Sequence, residues 1–251
     1  MESWFGATST HYFTLFSTSH LIVLTIALIG SLLLFSFKNK LKETQQGVYW
    51  LRWLLLVFLL ASEISYHYWA IANDVWRFHN QMPFHLCGVA SVVSIIGLLT
   101  MRPFWIQLAF FLGVLPAFLA LVTPELPYDY HHFRFWKFFI HHTAITWACL
   151  FLALSRPQVI TMRSLFSVYG LLLLYAAIVG FFLNPWTDSN FLFLMQRPTT
   201  TSPLDFFGEG LWYYINLCLT TFALFSIQYM LFRKFVKPTH KNLGLKKFNA
   251  R

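Results

Sequence analysis

The chain has 251 residues, of which 57% are hydrophobic and only 11% charged, with a net charge of +9 and a mean hydropathy of +0.58. A soluble domain carries about 25% charged residues, so this composition excludes a water-soluble globular protein and points to one built in a lipid bilayer. No nucleic-acid partner is expected. The first basic residue, Lys38, follows the first apolar run, so the positive start of a secretory signal is missing. The three cysteines, Cys87, Cys149 and Cys218, all lie inside apolar runs and do not form a disulfide framework.

A spanning helix takes about 20 predominantly apolar residues. Seven runs qualify: His20–Phe37, Val48–Ala70, Pro83–Thr100, Phe104–Val122, Trp136–Leu154, Ser164–Leu183 and Leu211–Phe232. Only helices and closed barrels satisfy their backbone in lipid, and these runs are too long and unalternating for barrel strands. The expected fold is all-α, a polytopic bundle of seven transmembrane helices. No polar stretch is long enough to fold as a second domain.

Orientation follows the basic residues. With the N-terminus outside, fourteen of the 18 Lys/Arg fall on the cytoplasmic side: Lys38, Lys40, Lys42, Arg52, Arg102, Arg156, Arg163 and seven in the tail. Only Arg77, Arg134, Lys137 and Arg197 fall outside, together with nine of the 10 histidines. Of the acids, only Glu43 is clearly inside. The chain thus divides into an outer N-terminal segment 1–19, a membrane domain 20–232 and a basic cytoplasmic tail 233–251, which would rest on anionic inner-leaflet lipid. Nothing in the sequence fixes the oligomeric state.

Three outer segments follow: Asn73–Met82, Thr123–Phe135 and the long, Pro- and Thr-rich Asn184–Gly210. Within the last, Phe191–Met195 is apolar but too short to span and reads as re-entrant or surface-lying. The whole segment is either a lid or binding loop or a disordered connector.

Ionisable groups inside a bilayer are expensive and mark functional positions. The second run carries Glu63 and His67, four apart and on one helix face. The third opens at Pro83, favourable in a first helical turn, with His85 and Cys87 following. The fifth carries His141 and His142, about 100° apart around a helix, so at most one faces a given site easily. At about 1.5 Å per residue, Cys87, His142 and Glu63 fall in one layer beneath the outer headgroups. A thiol becomes a nucleophile when an imidazole takes its proton, and a carboxylate orients that imidazole. A helix N-terminus further favours the thiolate at Cys87. Weighed against this, a buried cysteine is usually inert packing, and Glu63 would equally pair with His67. Cys149 and Cys218 read as packing, His131 and His132 as a wet-loop pair, and His11 and His20 as interfacial. His85 lies about 200° from Cys87 around a continuous helix.

The same residue types suit zinc. Glu63, His67, His85 and His142 would supply carboxylate and imidazole ligands and leave a position for water. The compact HxxxH and HExxH pairs are absent. The last run has no histidine, unlike the seven-span zinc hydrolases of the ceramidase and adiponectin-receptor type.

The stretch Met82-Pro-Phe-His-Leu-Cys87-Gly resembles the PxHLCG segment of the bacterial YwaF-type integral membrane proteins. Phe135-Trp-Lys-Phe-Phe-Ile-His-His142 and Asn184-Pro-Trp through Ser202-Pro-Leu-Asp-Phe-Phe-Gly208 resemble that family as well, and the likeness covers nearly the whole membrane region. This family is similar in turn to the eukaryotic transmembrane protein 164 acyltransferases, which use an intramembrane Cys and His on phospholipids. The resemblance implies a bacterial plasma-membrane protein, an acyl-enzyme at Cys87 and His142 as base and then acid, or His141 with a one-residue shift. It implies no cofactor. The chain departs from the family pattern at Gly208-Glu-Gly-Leu-Trp212, where Pro and Trp are favoured after the loop glycine.

On this reading an outer-leaflet phospholipid donates the acyl group. His67 and His85 line the substrate site, and Arg197 or Arg134 would hold the lipid phosphate or else anchor the interface. A third reading is a solute transporter or a structural protein, with Pro116 beside Gly113 kinking the fourth helix and Gly170 and Gly180 in the sixth. The inner halves of the spans carry almost no charge, so no polar path across the membrane is evident.

Overall fold

The structure is a computed structural model that describes residues 4–41, 46–198 and 202–236. Lys42, Glu43, Thr199–Thr201 and the basic tail from Lys237 to Arg251 lie outside the described residues.

The described residues form seven main helices: α1 (Thr18–Ser36), α2 (Gln46–Ala72), α3 (Leu86–Thr100), α4 (Pro103–Val122), α5 (Phe133–Ser155), α6 (Met162–Ile178) and α7 (Leu211–Phe235). α6 runs on through a π-helical stretch Val179–Leu183 and the short helix Asn184–Thr187. Six of these helices, α3 excepted, are long and apolar enough to cross a membrane. α3 has 15 residues, about 22 Å at the helical rise, against a hydrocarbon core of roughly 30 Å.

The third apolar run therefore differs from expectation at its start. Pro83 does not open a helix. Met82 is extended, as a residue before proline tends to be, and the Phe84 N–H donates to the Met82 carbonyl at 2.8 Å. The helix begins only after His85. Irregular backbone at such depth survives where protein or a cavity covers it, and here both do.

Local sequence explains the other starts. Ser17 caps α1, Thr161 and Ser164 form a reciprocal capping box at α6, and Pro103 opens α4. Pro116 lies inside α4 without ending it. At the end of the bundle where α2 begins, called the lower end, Arg52 donates to the last carbonyls of α3, at Leu98 and Leu99. These are acceptors that a helix C-terminus leaves unpaired.

α5 is the hub. Of its 18-residue spanning window 78% is buried, against 17–50% for the other five spanning helices. It packs against α1, α2, α3 and α4, while α6 and α7 pack on each other and on α4. Glycine makes this closeness feasible. A Cβ at Gly30 of α1, Gly97 of α3 or Gly113 of α4 would collide with Trp147, Leu152 or Cys149 of α5. Three neighbours thus each receive a side chain of α5 at a glycine, the small-residue contact that lets membrane helices approach.

The upper end, where α5 begins, is covered by residues 4–17. Trp69 and Asn73 donate to the carbonyls of Gly6 and Phe5, and Phe133 N–H donates to Trp4. His132 is 2% exposed, stacks on Tyr128 and caps α5 by accepting from Arg134 N–H. His20 is fully buried, bonding the Leu121 carbonyl through Nε2 at 2.8 Å. Both histidines are thus structural, correcting their reading as loop and interfacial groups. The N-terminal arm folds back over both rings and dries them, a long-range contact that local spacing does not encode.

Candidate active site

Cys87 is the second residue of α3 and Gly88 the third. The segment Met82–His85 doubles back so closely that a side chain at Gly88 would strike the Pro83 backbone, which gives the Pro-Phe-His-Leu-Cys-Gly spacing a steric basis. Tyr175 of α6 donates to the Phe84 carbonyl at 2.7 Å and ties the turn down. The His85 ring packs edge-on against Phe191 and tilted against Phe193.

α3 and α5 run in the same direction and share a register. Ser94 Oγ lies 3.0 Å from Cys149 Sγ, 55 residues on in sequence, and Gly97 receives Leu152 at the same offset. Cys87 stands two helical turns above Ser94 and His142 two turns above Cys149, again at that offset. A separation of seven residues returns almost to the same helix face, so Cys87 and His142 sit at one level on the facing sides of α3 and α5. Among the described residues the Cys87 thiol makes no direct hydrogen bond to either histidine.

His142 hydrogen-bonds the Phe138 carbonyl through Nδ1 at 2.9 Å. A carbonyl only accepts, so Nδ1 carries the proton and Nε2 keeps its lone pair. The carboxylate expected to orient the base is elsewhere. Glu63 Oε1 lies 3.5 Å from His141 Nε2, and its Oε2 lies 3.7 Å from Lys137 Nζ. Lys137 also sits 4.3 Å above the Tyr66 ring. Lys137 and His141 are one turn apart on the face of α5 that meets α2, while His142 faces α3. The adjacent histidines therefore serve different neighbours. Lys137 was not singled out in the sequence, although its spacing to His141 and the lone intramembrane Glu63 are the signals that would have found it.

His67 does not pair with Glu63. Its Nδ1 accepts from Trp76 Nε1 at 3.2 Å. The guanidinium of Arg134 lies 4.5 Å from the Tyr66 ring and 4.7 Å from the Trp69 ring, and its Nε is buried without a hydrogen-bond partner among the described residues. Arg197 donates to the Gly208 carbonyl and lies 3.8 Å from Glu209, closing its own loop. Glu63, His67, His85 and His142 are thus engaged separately, and no ligand cluster forms among them. Among the described residues the group of His, Cys, Asp and Glu close enough to share an ion is His11, Asp129 and His131.

Residues after α6 fold back over the start of α3 and are called the lid for that position. The Asn184 side chain brackets Phe191, donating to its carbonyl at 3.0 Å and accepting from its N–H at 2.9 Å. Phe191 is fully buried against Phe78, Phe84 and His85. Leu192 and Phe193 take positive φ of 60° and 56°, a costly backbone for such side chains. Tyr213 and Tyr214, at the start of α7, donate to the carbonyls of Phe193 and Leu194. The segment is therefore folded inward over the third helix.

Two cavities border this segment. The first, about 280 Å³, lies between α3, α6 and α7 and is lined by Cys87, His85, Leu172, Ala176, Leu194 and Leu217 among others. It is almost wholly apolar and near the ~300 Å³ at which small-ligand pockets begin. The second, about 460 Å³, is polar and lined by His79, Glu125, Asn184, Asp188, Asn190 and Gln196 among others. His85 and Phe193 line both. The helix-wheel separation of His85 from Cys87 does not apply, because His85 precedes the helix.

Comparison with known proteins agrees in part with the sequence reading. An uncharacterized protein of Treponema pallidum (strain Nichols) is 29% identical over 153 residues, 60% of this chain and 62% of that protein. The match thus spans less than two thirds of the relative's length. No solved structure matches. The profile of the TMEM164 family aligns with residues 15–229, which takes in the first six helices, most of α7, the Pro-Phe-His-Leu-Cys-Gly turn and the lid; the chain belongs to the TMEM164 family.

Proposed function

We propose that this membrane protein is a cysteine-dependent lipid acyltransferase or lipid hydrolase working at the outer leaflet of a bacterial plasma membrane. The observation that supports the reading is the α3–α5 register, whose 55-residue offset also relates Cys87 to His142, an imidazole with its Nδ1 already engaged by the Phe138 carbonyl. The neighbouring cavities support it, since an apolar chamber lined in part by Cys87 and a polar chamber that shares His85 and Phe193 with it suit the two halves of an amphipathic lipid. The YwaF-type resemblance agrees.

In this mechanism the acyl chain occupies the apolar chamber and presents its ester carbonyl to Cys87. His142 Nε2 takes the thiol proton as sulfur adds to the carbonyl carbon. The tetrahedral species collapses, the ester C–O bond breaks and the imidazolium gives its proton to the departing lyso-lipid oxygen. An acceptor hydroxyl then adds to the thioester while His142 takes its proton. The C–S bond breaks and the proton returns to sulfur. Water as acceptor gives a fatty acid instead, so the lid decides between transfer and hydrolysis by excluding it. Glu63 and Lys137 hold His141 and the upper part of α5 rather than the base itself.

Purified protein in vesicles carrying one isotope-labelled acyl donor tests this. Wild type exchanges the label and forms a thioester detectable by mass at Cys87. Cys87→Ala and His142→Ala abolish exchange, and His141→Ala retains part of it. Full exchange by Cys87→Ala ends the covalent mechanism.

A further inference from the structure

We infer that His11, Asp129 and His131 form a binding site for a zinc-class divalent metal ion, one that clasps the N-terminal arm to the segment entering α5. The three residues come from stretches more than a hundred positions apart, yet one ligand atom from each lies within 4.8 Å of the others. The His131 Nδ1 to Asp129 Oδ2 distance is 2.8 Å. A tetrahedral ion bound at ~2.1 Å to both atoms would hold them about 3.4 Å apart, so it replaces the shared proton once the two side chains part by roughly half an ångström. The His11 and His131 rings stack 4.5 Å apart at 30°, which brings the second imidazole up to the carboxylate–imidazole pair.

The cluster is built rather than fortuitous in its framing. Tyr12 and Tyr128, the neighbours of His11 and Asp129, pair as antiparallel backbone. Phe13 N–H donates to the Pro127 carbonyl at 3.1 Å. Asp129 Oδ1 accepts from His131 N–H at 3.0 Å, which fixes the carboxylate, and Ser9 Oγ accepts from His11 N–H at 3.1 Å. Each ligand is thus held by its own backbone before any ion arrives.

Two imidazoles and one carboxylate select a borderline ion such as zinc over calcium or magnesium, which prefer all-oxygen shells. His131 is 47% exposed and Asp129 17%, so water completes the coordination. The site stands apart from Cys87 and has no part in acyl chemistry. Its consequence is mechanical: the arm that covers Trp69, Asn73 and α5 gains an anchor at its middle.

The test is calorimetric titration of zinc into tag-free, full-length, metal-stripped protein in detergent. Wild type takes up one equivalent. His11→Ala and His131→Ala each weaken binding at least tenfold, whereas His79→Ala and Glu63→Gln leave it unchanged. In parallel, zinc slows amide exchange across residues 4–17 in wild type and not in His11→Ala. No uptake by wild type, or equal uptake by His11→Ala, overturns the proposal. Loss of uptake in Glu63→Gln with retention in His11→Ala also overturns it, by moving the ion into the membrane. None of these readouts depends on acyl transfer.

Discussion

The backbone of Pro83 passes 2.6 Å from the point where a Cβ on Gly88 would stand. Backbone cannot swing aside as a side-chain tip can, so Gly88→Ala must push the Met82–His85 turn away from α3. We expect a loss of about 1–3 kcal/mol, typical of overpacking, seen as a lower unfolding temperature in detergent. Thiol reactivity at Cys87 changes with it. Unaltered stability and reactivity would show that the turn yields freely.

Glu63 faces both Lys137 and His141, and its side chain is 24% exposed. Removing one member of a fully buried pair costs roughly 3–5 kcal/mol; partial exposure reduces this, and we expect about 1–3 kcal/mol for Glu63→Gln. Adding Lys137→Met removes the stranded charge and restores much of the loss. A double-mutant cycle with no coupling would refute the pairing.

The three cysteines should differ sharply toward a thiol reagent. Cys87 and Cys218 line the apolar chamber, whereas Cys149 is fully buried between Ser94 and Gly113. Mass mapping after brief alkylation should find the first two modified and Cys149 intact. Cys149 reacting as quickly as Cys87 would contradict the packing of α5.

The lid hangs on two hydroxyls. Tyr213→Phe and Tyr214→Phe each remove one hydrogen bond to it, worth about 0.5–1.5 kcal/mol, and the double variant should raise amide exchange across residues 191–196 several-fold. Under the proposed function it also shifts product from transferred acyl chain toward free fatty acid, because water gains access.

The polar chamber includes Glu125 and Asp188, and no lysine or arginine is among the residues lining it. An ammonium-bearing zwitterionic headgroup should therefore be handled faster than a purely anionic one. Vesicles of phosphatidylethanolamine and of phosphatidylglycerol supply the comparison. Asp188→Asn should narrow the ratio of the two rates, and a preference for the anionic lipid in wild type would reject the assignment.

The apolar runs made most helices legible, because twenty unbroken apolar residues have few other fates. Residues 83–85 misled because proline at the first helical turn and proline in a doubling-back turn look alike locally. Only the clash at Gly88 separates them. The proposed choice of His142 over His141 as the base for Cys87 rests on the α3–α5 register, a relation between distant segments that spacing along either helix does not encode. Glu63 stands out in the sequence as a costly charge, yet its neighbours are Lys137 and His141, while the His67 Nδ1 accepts from Trp76 instead. The burial of His20 and His132 comes in part from the N-terminal arm, whose short, irregular sequence of aromatic and hydroxyl residues carries no periodicity to read.

Because α5 is keyed by its side chains into glycines on three surrounding helices, it can neither slide nor rotate without unseating all three. The groups it carries are therefore stationary parts. Any breathing that admits a bulky guest falls to α6 and α7, which are bound mainly to each other and to α4. Those two would act as a door swinging against a fixed frame.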